Sequence, residues 1–262
     1  MKTMKIFTRV ATLLLIIVFY GTGTHAADKQ NAPTPALSTQ MTVQQKLAFE
    51  NLIREYLLRN PEVIVEAMQT LRSREKAETR NRQEKTLAHM KKDIYEDPSA
   101  PVGGNPKGDV TVVEFFDYNC GYCKKVHPTV VELLKSDGNI RYVFKEFPIL
   151  GNSSVIAARI ALAAWNLDKS KYSDFHTALM QTRGGLSESK ILRLAQKSGY
   201  DEAMLKIAMK DPKIEASIRK NHAIAQALNI TGTPAFIIGN QIIPGAISAE
   251  TMKKIISEIR GS

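Results

Sequence analysis

The sequence predicts an α/β domain over residues 110–262, preceded by an all-α segment over residues 42–95. Three observations carry this. "VTVVEFF" (110–116) and "IRYVFKEF" (140–147) are β-branched and aromatic runs of strand length, with a helix-length segment between them. Residues 152–228 hold only helical patterning, rich in Ala, Ile and Leu. "AFIIGNQIIPG" (235–245) is two short apolar runs around Gly239-Asn240, the pattern of a β-hairpin.

The chain of 262 residues opens with Lys2, Lys5 and Arg9 before an apolar run from Val10 to Tyr20. That run is too short to span a bilayer comfortably, and Thr24-His25-Ala26 is a small-x-small cleavage pattern. A secretory signal over 1–26 is expected, then a polar, Pro-containing leader over 27–41. The formal net charge is +10, and +7 without the three cations of the expected signal. The excess is spread along the chain with no aromatic-interleaved basic patch, so nucleic-acid binding is not expected. It suits acidic surfaces or unfolded chains.

Thr42 opens a helix, with Gln45 completing a capping box. Leu47, Leu52, Ile53, Tyr56 and Leu57 form an apolar stripe, which Val63, Ile64, Ala67, Met68 and Leu71 continue after Asn60-Pro61. Two such helices bury too little to fold alone, so they either pack back on the main domain or pair with copies of themselves; self-association of residues about 42–71 as a homodimer or homotrimer is the favoured expectation. Arg72 to Lys85 is polar all round and reads as a solvated spacer. Residues 96–109, "EDPSAPVGGNPKGD", read as a Pro/Gly linker.

In the α/β part, a helix follows the first strand, and five helical stretches over 153–228 separate the second strand from the hairpin. Ser248 to Arg260, with Met252, Ile255, Ile256 and Ile259 on one face, reads as a closing helix.

Both cysteines, Cys120 and Cys123, lie in "FFDYNCGYCKK". The pair could be a staple, half a metal site or a redox centre. A structural zinc needs four ligands, and no two of the remaining histidines (His89, His127, His176, His222) are close in sequence, so no metal site is expected. Copper(I) on the two thiolates is the softer-ligand alternative. As a redox centre the position makes sense. Cys120 starts a helix, where backbone N–H groups and the helix dipole stabilise a thiolate. Cys123, one turn on, can attack a mixed disulfide formed at Cys120.

The strand–CxxC–helix unit, Pro128 five residues after Cys123, and Thr233-Pro234 before the hairpin together resemble the thioredoxin superfamily. The helical insertion and "EFFDYNC" resemble its DsbA-like branch. The resemblance implies a thioredoxin fold with a DsbA-type insertion at about 152–228. It implies that Cys120 is the nucleophile and Cys123 the resolving thiol, the two forming a redox-active disulfide with no other cofactor. Glu114 is implied as the proton handler, and Pro234 as a cis-proline lining the substrate groove beside Thr233. Gly121-Tyr122 replaces the Pro-His of DsbA oxidants, and Thr233 their valine. Both are similar to DsbC-type isomerases. The helical extension is similar to that of ScsC-like proteins and some surface antigens.

The expected activity is therefore an exported, periplasmic thiol–disulfide oxidoreductase that forms and isomerises disulfides. Tyr122 and Gly121 would face substrate. Unfolded or misoxidised secreted proteins are the expected substrates, and a membrane protein of DsbB or DsbD type the redox partner. A net dithiol oxidant is the nearest alternative, and a non-catalytic holdase chaperone or copper(I) carrier a further one. Arg141 and Lys145 read as solvated charges, Trp165 as core, and His127 as a helix-surface residue.

Overall fold

The computed structural model describes residues 41–261, so the expected signal and the leader up to residue 40 lie outside the described residues. The chain divides into two compact units at Val65/Glu66.

In the first unit, α1 (Val43–Arg59) starts with the expected capping box. The Gln45 amide donates to Thr42 Oγ1 (3.2 Å) and the Thr42 amide to Gln45 Oε1 (2.9 Å). No residue of α1 is buried. Leu47, Phe49, Leu52, Ile53 and Tyr56 all stand exposed, Leu52 at 58 %. A second helix, α2, runs unbroken from Glu62 to His89 and contains the polar stretch 72–85.

The second unit is built on a five-stranded sheet. In chain order its elements are α3 (Lys91–Tyr95), β1 (Val102–Gly104), β2 (Val110–Phe116), α4 (Gly121–Ser136) and β3 (Ile140–Glu146). Then come α5 (Asn152–Leu167), a 3₁₀ turn (Lys169–Lys171), α6 (Tyr172–Gln181), α7 (Glu188–Lys197), α8 (Glu202–Ala208) and α9 (Pro212–Ala227). The chain closes with β4 (Ala235–Ile238), β5 (Gln241–Pro244) and α10 (Ala249–Arg260). The strand order is β1-β3-β2-β4-β5. β2 and β3 pair in parallel, while β1, β4 and β5 pair antiparallel to their neighbours. β2 and β3 are central and almost wholly buried, which is why they read as continuous apolar runs.

One face of the sheet packs on α4, α10 and the helical insertion α5–α9 through Val112, Phe116, Tyr142, Phe144 and Ile238. The other face carries Val113, Phe115, Val143 and Ile237, with Leu87 of α2, Ile94 of α3 and Ile224 of α9 against them. Trp165 is core, as expected.

Two sequence expectations fail here for one reason. Residues 96–109 are not a free linker: Asp97 and Ala100 are buried, and Val102–Gly104 pairs with β3. Lys145 is not solvated but fully buried. Its ammonium donates to Asp97 Oδ2 (2.9 Å) and to the Asp93 carbonyl (2.8 Å). Burial raises the Asp97 pKa, but Lys145, together with the hydrogen bonds from Ser99, more than offsets it and holds the carboxyl at about 2. Arg141 is half-buried as well, its guanidinium donating to the Tyr95 carbonyl. Two cations on the central strand β3 thus clamp the 93–97 segment to the sheet.

Candidate active site

The polypeptide leaves β2 at Phe116 and must turn sharply to start α4. Asp117 organises that turn. Its Oδ1 accepts the Asn119 amide (2.7 Å), its carbonyl accepts the Cys120 amide (3.0 Å), and its Oδ2 accepts the amides of Ile149 and Leu150 (2.8 and 3.0 Å). Asn119 Nδ2 donates to Ser153 Oγ and Ser154 Oγ at the start of α5. The turn is therefore bolted to both β3's exit and the insertion. Asp117 and Asn119 were not picked out from the sequence, although D-x-N ahead of a helix is an Asx-turn pattern.

Cys120 is the N-cap of α4, with extended φ/ψ of −75° and 117°. It is 7 % exposed, the only opening to solvent that the cysteine pair has, since Cys123 is at 0 %. Both are free thiols. The Cys120 thiol donates to the Thr233 carbonyl (3.2 Å), and the Thr233–Pro234 peptide is cis. The expected site residues Cys120, Cys123, Thr233 and Pro234 thus meet at one point. Gly121 and Tyr122 lie at the exposed start of α4, Tyr122 at 66 %. A cleft of about 470 Å³ beside them is lined by Tyr122, Lys125, Val126, Thr129, Thr233 and Ile247 among others.

Glu114 lies two residues before the end of β2, 3 % exposed, with its Oε2 accepting the Tyr142 hydroxyl (2.6 Å). Burial raises its pKa to about 7, although the Tyr142 hydrogen bond pulls the other way. Burial, and then the charge of Glu114, push the Cys123 thiol far above its ordinary value. A thiol so disfavoured as thiolate needs a nearby base to react, and Glu114 titrates where a general base is most useful.

This makes a pH-dependent expectation. Glu114 is ionised in the unfolded chain from about pH 4.5 upward, but in the folded one only above about 7. Its contribution to stability is full below pH 4.5 and is lost as pH rises through 7. At pH 8, Glu114→Gln should be the more stable protein, by up to about 3 kcal/mol, with the gap closing by pH 4. Urea unfolding at both pH values measures this. Resolution of a Cys120 mixed disulfide should slow about 100-fold or more in the same variant and lose its rise through pH 7.

His127 departs from expectation. It is 7 % exposed and its ring lies 5.2 Å from that of His176, which accepts from or donates to Tyr118 Oη at 2.9 Å through Nδ1. α4 presents Cys123, Val126, His127 and Val130 inward, against α6. Burial lowers the pKa of both imidazoles, so both are neutral at pH 7. Two histidines distant in sequence are close in space, yet among the described residues no group of three or more His, Cys, Asp or Glu could hold a metal.

Residues 96–258 match the thioredoxin family profile. The chain belongs to the thioredoxin family. Residues 45–78 match the profile described as the copper resistance protein ScsC N-terminal domain. A thioredoxin-like oxidoreductase from Silicibacter pomeroyi is 42 % identical, with a TM-score of 0.63, over 65 % of this chain and 98 % of that one. The thiol-disulfide exchange protein alpha-DsbA2 from Wolbachia pipientis is 36 % identical, with a TM-score of 0.65, over 69 % and 97 %. A Proteus mirabilis ScsC variant is 27 % identical, with a TM-score of 0.64, over 84 % and 97 %. Two Na⁺/H⁺ antiporters from Salinispora species are 28 % and 26 % identical over 158 and 157 residues, and there the chain spans 24 % of their length. Within the thioredoxin family the chain is DsbA-like, and its residues 45–78 are similar to the ScsC N-terminal domain. Among the described residues, no helix is long and apolar enough to cross a membrane.

Proposed function

We propose that the protein is an exported thiol–disulfide oxidoreductase that forms and isomerises protein disulfides in the periplasm. The observation that carries this is the pairing of one slightly accessible cysteine, Cys120, with a fully buried one, Cys123, whose thiol feels the charge of a carboxyl that titrates near 7. Cys120 attacks a substrate disulfide as a thiolate at the start of α4. Cys123 resolves the mixed disulfide after Glu114 takes its proton. Thr233 and Pro234 line the approach, and Tyr122 and Gly121 present the face that meets substrate. The Cys120–Cys123 disulfide serves as the only redox group, with no added cofactor.

Isomerisation is favoured over net oxidation by the dipeptide. A strong oxidant stabilises its thiolate heavily, and neither Gly121 nor Tyr122 can place a positive charge beside the sulfur. The exposed apolar side chains of α1 and the first turns of α2 support assembly through residues about 42–71, as a homodimer or homotrimer. Unfolded or misoxidised secreted proteins would be substrates, and a membrane protein of DsbB or DsbD type would reset the cysteines. Equilibration with glutathione buffers tests the direction of electron flow. The reading predicts a potential nearer ~−180 mV than ~−120 mV; a value at ~−120 mV would make the protein a net oxidant.

A further inference from the structure

The active-site sulfur has two flanks. One is the largely apolar cleft along Tyr122 and Thr233, which shares Lys125 with the other. The other faces the loop between α6 and α7, and its composition is different. A cleft of about 710 Å³ lies there, lined by Asn119, Lys124, Lys125, Thr182, Arg183 and Gly184 among others, with no carboxylate in its lining.

Two of the cations on this flank are held in place, while Lys125 and Arg183 stand exposed. Lys124 Nζ donates to the Thr182 carbonyl (2.7 Å), and Lys190 Nζ to the carbonyls of Arg183 (2.9 Å) and Gly185 (3.4 Å). Lys190 thereby ties down the loop that carries Arg183, through Gly184 at a φ of +74° that a side chain would strain. None of Lys124, Lys125, Arg183 or Lys190 forms an ion pair with a carboxylate among the described residues. Burial, and then the charge of Lys190, hold the Lys124 ammonium below its ordinary value against the pull of Asp117, as uncompensated positive charge does. The start of α4 at Gly121 adds its dipole to the same cleft.

We propose that this cleft is a subsite for acidic side chains, so that Cys120 reacts preferentially with substrate cysteines flanked by Asp or Glu. The inference rests on exchange at Cys120 as described above. Arg183, Lys124 and Lys125 would receive the carboxylates while the apolar cleft takes the other side of the substrate chain. The reaction itself is ordinary exchange. The Cys120 thiolate attacks one sulfur of a peptide disulfide and releases the first peptide as a thiolate, which takes a proton. Cys123 then releases the second peptide as a thiol. The peptide disulfide is reduced by two electrons, and Cys120–Cys123 is oxidised by two.

The test uses the full chain in its reduced form and disulfide-linked peptides of one length, with the cysteine flanked by Asp/Glu, by Ser/Gln or by Lys. At low salt the acidic peptide should react about tenfold faster than the lysine peptide. The ratio should shrink in 0.5 M salt. It should fall to about twofold in Lys125→Gln/Arg183→Gln, but not in Lys213→Gln/Lys254→Gln, which removes two exposed charges elsewhere. Equal rates for the three peptides, or an equal loss of preference in both double variants, overturn the subsite. Failure of every peptide to react contradicts exchange at Cys120 itself, and the subsite falls with it.

Discussion

Cys120→Ala should leave no measurable exchange, a loss on the order of 10³-fold or more, whereas Cys123→Ala should accumulate as a mixed disulfide with its substrate. The asymmetry follows from burial. Cys120 is the only residue of the pair with any exposed surface and sits at the N-terminus of a 16-residue helix. Cys123 is enclosed and its thiol strongly disfavours ionisation, so it cannot serve as the first nucleophile when Cys120 is missing. Gel shift under non-reducing conditions reads the trapped species. A Cys123→Ala protein that turns over like wild type, or a Cys120→Ala protein that traps substrate, would reverse these roles.

Asp97→Ala should cost about 3–5 kcal/mol, because it leaves the Lys145 ammonium buried and without its carboxylate. Lys220 cannot replace the lost partner, being a cation itself and 3.5 Å from the same carboxylate. The double variant Asp97→Ala/Lys145→Met removes both charges and should recover much of the loss, since an apolar side chain of similar length suits a strand buried on both faces. Urea unfolding of the three proteins reads both numbers. A loss below about 1 kcal/mol in the single variant would mean that Lys145 reaches water or another acceptor. The same clamp governs where the chain can be cut. A fragment beginning at residue 98 would lack Asp97, Ile94 and Leu87, whereas one beginning near residue 80 retains them.

What could be read from the sequence, and what could not, divides by range. The two central strands, the hairpin around Gly239-Asn240 and the helices of the insertion are local patterns, and they fall within a residue or two of their expected places. The cysteines, Glu114 and the Thr233–Pro234 pair were found because their order and spacing resemble a family pattern, and the structure brings them together. Lys145 was misread because its partner lies 48 residues earlier, in a stretch whose prolines and glycines suggest a linker. β1 escaped because three residues, two of them glycine, carry no alternation. His127 was placed on the surface although it shares a helical face with Cys123 and Val130; a full helical projection of α4 would have put it inside. Its neighbour His176 comes from another helix, and no local spacing could announce the pair.

In the proposed function, one exchange site becomes an isomerase by assembling through its N-terminal helices. Reshuffling of a scrambled multi-disulfide protein tests it directly, comparing the wild type with Leu52→Glu/Tyr56→Glu, which places charges on the exposed apolar stripe of α1. The variant should become monomeric and lose reshuffling while still oxidising dithiols at the wild-type rate. A monomeric variant that reshuffles as fast as the wild type would contradict it.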